Sequence, residues 1–496
     1  MMGTLSTRSL ERRFLLLTGT RWLQVGVVFG LTILLPLQRG LSVAEAGVLL
    51  SIQGFVVLAL ELPSGSLADS LGRRPVMLLA AVAAITATVL FVTASSFWGF
   101  ALALLVQGVF RALDSGPLEA WFVDSLGTDA EPTRVARSLG RGSTVLGTAI
   151  ALGSAAGGLL VWWAPVPGLD PLVLPFLVAL AIEVMHLVLL VVLVHEPRAP
   201  RPRRRRGAGA EDRSRARTSP WAALTAAIRL VAHDRVLRCL VLVEVAWALA
   251  MIGFETLTPI RLAELTSTVD AAAVFGPASA VAWGVFAAGS ALCAFLVPRV
   301  GVVRVAIAAR ILNGVFVATM GLLAGVVGLL VGYCLAYLAH GAAGPAHNAL
   351  LHQRAEARTR ATVLSVNSLV AGGSTSLLLL VVLPLAEGIG TTPVLIAVGL
   401  ISTLGALLYL PARDRRRPGD ATPERRATRP SDRPGGVGTT PLGQGAVTGP
   451  ADAVAKSTAA AVPRVSRRPS RRAVTVNDAV ESPDCGTSSP GSGAPG

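Results

Sequence analysis

The sequence predicts an all-α membrane protein whose twelve transmembrane helices form two pseudo-symmetric six-helix bundles. Three observations predict this. Only 15% of the 496 residues are charged and the mean hydropathy is +0.63, whereas about a quarter of a soluble chain is charged. Apolar runs of roughly 20 residues, enough to cross about 30 Å of hydrocarbon as a helix, recur from residue 14 to 411. The arginines gather in alternate loops between those runs.

Divided at the breakers, the apolar runs place spans near residues 14–38, 45–67, 75–95, 98–120, 139–163 and 171–195. The second six lie near 236–260, 273–297, 302–325, 327–349, 362–385 and 391–411. Arg8, Arg12 and Arg13 precede the first run, which has no A-x-A-like cleavage site. It therefore reads as a retained helix rather than a signal peptide. Arg73 and Arg74 lie between spans 2 and 3, Arg134, Arg137 and Arg141 between 4 and 5, and Arg299 and Arg304 between 8 and 9. Arg354, Arg358 and Arg360 lie between 10 and 11, while the opposite loops hold only Arg39 and Arg261. By the positive-inside rule both termini are expected in the cytoplasm, with the protein in the cell inner membrane.

The chain divides into four regions. An N-terminal bundle spans 1–197, a basic cytoplasmic linker 198–235, a C-terminal bundle 236–413 and a cytoplasmic tail 414–496. The linker, with Arg198, Arg203 to Arg206 and Arg217, reads first as a solvated tether that anchors orientation and second as a contact for anionic lipid. The tail has no Phe, Tyr or Trp, cannot bury a core and is expected to be disordered. The halves repeat weakly: Leu35-Pro36-Leu37 and Thr258-Pro259-Ile260 lie 223 residues apart. Two copies in one orientation are the parallel repeat of a rocking transporter.

The net charge of +15 tracks membrane topology and does not point to nucleic acid. Cys239, Cys293 and Cys334 lie singly in apolar spans and Cys485 in the tail, so neither a metal site nor a disulfide is expected. The only lysine is Lys456 in the tail, which excludes a phosphate-binding loop and ATP-driven transport within this chain.

The most particular string joins spans 2 and 3: Gly65-Ser-Leu-Ala-Asp69-Ser-Leu-Gly72-Arg73-Arg74-Pro75. Gly65 would let a neighbouring helix approach, Gly72 would permit a tight turn, and Pro75 would open the next helix at its first position. Asp69 could receive hydrogen bonds from that helix's N-terminus. The string resembles the signature loop of the major facilitator superfamily, with the likeness extending over residues 10–411. The preceding Glu61-Leu-Pro-Ser is similar to that of its proton-linked drug-exporter branch. The resemblance implies a charge relay of Asp69 and Arg73 with Asp124 at the cytoplasmic end of span 4. It also implies that Asp69 meets the start of span 11 near Arg360, latching the outward-open state.

Arg111 and Asp114 of span 4 lie three apart on one helix face and can pair locally. Arg111 also lies near the superfamily's span-4 arginine, which the resemblance implicates in proton handling; a structural pair is the alternative. Span 5 carries Gly140, Ala149, Gly153, Ser154, Gly157 and Gly158. This is similar to an exporter-branch motif, and equally to ordinary small-residue packing. Ionisable groups inside a membrane are costly and mark pathways; Glu61, Glu183, His186, Glu244, Glu255 and His340 form that set. Glu244 and Glu255 are eleven apart and are expected on one face of span 7. Of these, Glu61, Glu244 and Glu255 are the proton or substrate candidates, beside Arg111 and Asp114.

The expected function is proton-coupled export of a small hydrophobic or amphiphilic compound by alternating access. Uptake of a small metabolite, or a receptor that does not transport, are the alternatives. The chain is expected to be a monomer rather than an enzyme. It would need neither cofactor nor metal, and its partners would be a small-molecule substrate, protons and the lipid bilayer.

Overall fold

Twelve helices long and apolar enough to cross a membrane succeed one another in a computed structural model. It describes residues 7–127, 131–196, 220–355 and 360–413. Among the described residues there is no strand. Most of the linker, residues 356–359 and the tail lie outside them; within the stretch read as linker, Pro220–His233 is a helix. Spans 1 to 6 are Thr7–Gln38, Val43–Leu71, Arg73–Thr93, Phe97–Leu126, Pro132–Trp163 and Leu174–Leu193. Spans 7 to 12 are Arg235–Leu265, Thr268–Val300, Val302–Leu322, Gly325–Arg354, Arg360–Ile389 and Thr391–Ala412.

Polar side chains mark where helices start. Ser42 and Glu45 form a reciprocal capping box at span 2, and Ser96, Asp234 and Ser267 cap spans 4, 7 and 8; each satisfies backbone N–H groups left over at a helix start. Spans 1, 4 and 7 are interrupted within their length, and span 12 ends in a 3-10 helix over Leu404–Ala412. Span 1 breaks between Val27 and Leu31 at Gly30, whose φ of 80° is readily available only to glycine. Span 4 breaks at Ser115 and Gly116, between Asp114 and Pro117. In span 7 a π-helical turn covers Ile252–Thr256.

The turns 2–3, 4–5, 8–9 and 10–11 share the end where span 1 begins, here called the near end. At the far end one apolar core joins both halves. It includes Leu34, Leu49 and Phe100 from spans 1 to 6, and Phe254, Phe275, Tyr333 and Leu383 from spans 7 to 12. Towards the near end each core cluster draws on one half alone: Phe14, Trp121 and Phe122 in the first half, Leu240, Ala306 and Tyr409 in the second.

Two helix pairs lead the joint, and Phe29 of span 1 stacks on Phe275 of span 8 beside them. Between spans 5 and 8, a Cβ on Gly158 would overlap Pro277, and one on Gly276 would overlap the carbonyl of Ser154. Between spans 2 and 11, the Ser51 hydroxyl donates to the Ser376 carbonyl at 2.8 Å, and the Ala44 N–H donates to Glu387 at 2.7 Å. In hydrocarbon there is little hydrophobic drive between helices, so close backbone approach and interhelical hydrogen bonds hold them together.

Candidate functional site

Between the halves, at mid-depth, the second half presents Glu255 from the π turn. Such turns add a residue to the helical repeat and often occur at functional sites. Glu244 and Glu255 both meet side chains of span 10, His347 and Tyr337. Tyr337 of span 10 donates its hydroxyl to Glu255 Oε1 at 2.9 Å. Around this pair lie Phe254, Trp283, Phe286, Tyr333 and His340, with adjacent ring centroids 4.9–6.4 Å apart. Trp247 donates its indole N–H to His340 at 3.2 Å.

The first half answers with Arg111. It is exposed although it sits about 21 Å along span 4 from the far end. Its charge and that of Glu255 in the other half are near enough to act on each other. Glu61 is half-buried on span 2.

Arg111 does not pair with Asp114 as expected. Asp114 accepts from Arg21 Nε of span 1 at 2.5 Å. The physical reason is the break in span 4: Asp114 ends its helix, and Arg21 reaches that end from the neighbouring span. Arg21 also lies over Phe110, 4.4 Å from the ring centroid. Close by, Thr88 donates to Glu183 at 2.9 Å, and Thr20 bonds His186 at 2.8 Å. The second half holds its own buried cluster, in which Glu244 lies 3.0 Å from His347 and accepts from Asn367 at 2.8 Å. His347 also bonds Tyr409 at 3.0 Å. Arg21, His347, Asn367 and Tyr337 belong to no motif that marks them in the sequence. One signal was present: Arg21 and Glu244 stand 223 residues apart, as do Pro36 and Pro259.

At the near end, Gly72 has φ 98° and makes the tight turn. Arg73 Nε lies 3.7 Å from Asp124 Oδ2, the two groups expected in the relay. The side chain of Asp69 lies outside the described residues. Span 3 begins at Arg73, so Pro75 is its third residue and not its first; a proline fits there because the first-turn N–H groups have no intrahelical partner. Glu196, after span 6, accepts from the backbone N–H of Arg74 at 3.2 Å, and Arg74 donates to the carbonyl of Val191 at 2.9 Å. Among the described residues, a side chain on Gly65 would meet nothing within 4 Å.

The span-5 glycines divide their work. A Cβ on Gly153 or Gly157 would overlap the backbone of span 1 at Leu23 or Val27, and Gly158 faces span 8. Gly140 is half-buried nearer the start of the span, where Thr144 donates to its carbonyl at 3.2 Å.

The sequence profile of the Major Facilitator Superfamily matches residues 14–292. No curated protein matches the chain. Among solved structures, the nucleoside transporter NupG is similar with a TM-score of 0.67 and 12% identity, over 82% of this chain and 100% of that one. A bacterial homologue of the human lysosomal transporter Spinster, inward-facing and unoccupied, gives 0.65 and 18%, over 84% and 100%. The human organic anion transporter MFSD10 gives 0.51 and 19%, over 80% and 99%. At these identities the likeness is one of fold.

Proposed function

This chain belongs to the Major Facilitator Superfamily, and from that premise we propose that it exports a small hydrophobic or amphiphilic compound in exchange for protons, as a monomer, by alternating access. It is a membrane transporter by family. The observation that supports the finer reading is a core shared by both halves only towards the far end, with Glu255 and Arg111 carried by opposite halves at mid-span. The arginine-rich turns argue that the near end is cytoplasmic, both termini included, in the cell inner membrane. In that orientation, a joint at the far end with separate near-end cores supports reading this as an inward-open state.

Glu255 then serves as the proton and substrate carboxylate: it meets an aromatic surface suited to an amphiphile, and Tyr337 steadies its charged form. Replacement Glu255→Gln should leave flux in proteoliposomes insensitive to an imposed pH gradient; an unaltered pH profile removes Glu255 from the coupling. The near-end groups Asp69, Arg73, Arg74 and Asp124 latch the opposite, outward-open state, with Gly65 and Gly72 shaping the turn. Asp69→Asn should slow transport several-fold in a folded protein, and full activity would refute the latch.

Direction has its own test. Expression should raise resistance to amphiphilic dyes and lower their accumulation; unchanged resistance together with accumulation would mean import. A guanidinium and a carboxylate carried by opposite halves favour a second reading, uptake of a small polar metabolite. NupG is a nucleoside transporter, and a similar POT-family structure holds 5-aminolevulinic acid.

A further inference from the structure

Inside the first bundle one arginine stands between two carboxyls. Arg21 Nε donates to Asp114 Oδ2, while Arg21 NH1 and Glu183 Oε2 are buried without a hydrogen-bond partner. Arg21, Asp114 and Glu183 line one cavity of about 10 Å³, together with Gln24, Phe110 and His186; that is room for about a single water molecule. The groups facing Glu183 come from every side. Arg21 stands on span 1, Asp114 on span 4 and the hydroxyl of Thr88 on span 3, with His186 on its own span 6. Span 5 adds no titratable residue to the cavity lining, and Glu119, past the break in span 4, acts on Asp114 from outside it.

One cation can neutralise one carboxylate. A second carboxyl, buried with an unpartnered oxygen, is stable there only as the acid, because a lone buried charge is strongly disfavoured. The two carboxyls are not equivalent. Asp114 is half-buried and sits where span 4 breaks, whereas Glu183 is buried.

We infer that this cavity is a proton-exchange site in which Asp114 and Glu183 share one proton and Arg21 pairs with whichever carboxyl lacks it. In the exchange the O–H bond of Glu183 breaks, the proton passes through a water in the cavity, and an O–H bond forms on Asp114. The guanidinium moves from Asp114 to Glu183, so the bundle holds the same net charge throughout. Asp114 is the port and Glu183 the store. The site is separate from Glu255, and its use in transport rests on the proton-coupled reading above.

Infrared spectroscopy of the full-length protein in lipid at neutral pH tests this without a substrate, with the proton itself as probe. Glu183→Gln should remove one carboxylic-acid carbonyl band, and Thr88→Val should shift that band by deleting its hydrogen-bond donor. Asp114→Asn should also abolish it, since Arg21, released, moves to Glu183 and ionises it. A merely structural Asp114 would leave the band in place. An unchanged spectrum for Glu183→Gln, or a Glu183 band that survives Asp114→Asn, overturns the proposal. Should Glu183→Gln not fold, the Thr88 and Asp114 variants read the same group. Bands that respond as described, alongside pH-independent flux in the unmodified protein, would support the exchange site and reject the proton coupling.

Discussion

Replacing Arg21 by methionine is expected to destabilise the protein by about 3 kcal/mol, the lower end of what breaking a buried pair costs. Arg21 is 7% exposed, and its removal strands Asp114 beside Glu183 in a cavity with no other cation in its lining. Methionine keeps most of the packing against Phe110 and Trp22, so the loss reports charge more than volume. The measurement is thermal unfolding of the purified protein. The double variant Arg21→Met/Asp114→Asn should recover most of the deficit, because groups in one pair are strongly non-additive. A single variant as stable as the parent would mean that Arg21 does not hold Asp114.

Gly276→Val should have the larger effect on transport. A side chain there would enter the backbone of span 5 at Ser154 and Gly158, and overpacking of this kind costs about 1–3 kcal/mol. The strain falls on the joint that closes the far end, so the balance between the two open states should move roughly 5- to 150-fold towards far-end opening. Spin labels at positions 44 and 387, whose residues are hydrogen-bonded across the joint, would read this in a background without the native cysteines. Longer label separations together with flux reduced at least tenfold are expected. An unmoved distance distribution would show that spans 5 and 8 do not set the closure.

The twelve spans were legible because length and hydropathy are local properties: each run of about 20 apolar residues must cross the bilayer whatever it packs against. Arg73 and Asp124 were expected together on the strength of the signature loop, and they lie 3.7 Å apart. The break in span 4 had a local signal in Gly116-Pro117, but the apolar run continues across it, and hydropathy does not register one non-helical step. The π turn in span 7 left no trace in the spacing of Glu244 and Glu255.

What the amino-acid order determined unaided was therefore the number of helices and their rough limits, because the bilayer tests every segment separately. Tertiary structure decided the partners. Asp114 had an arginine three residues away and took one 93 positions distant, and Glu244 found His347 and Asn367 on other helices. A buried charge in hydrocarbon is stabilised by whichever counter-charge comes within hydrogen-bonding reach, and that distance exists only after the helices have packed.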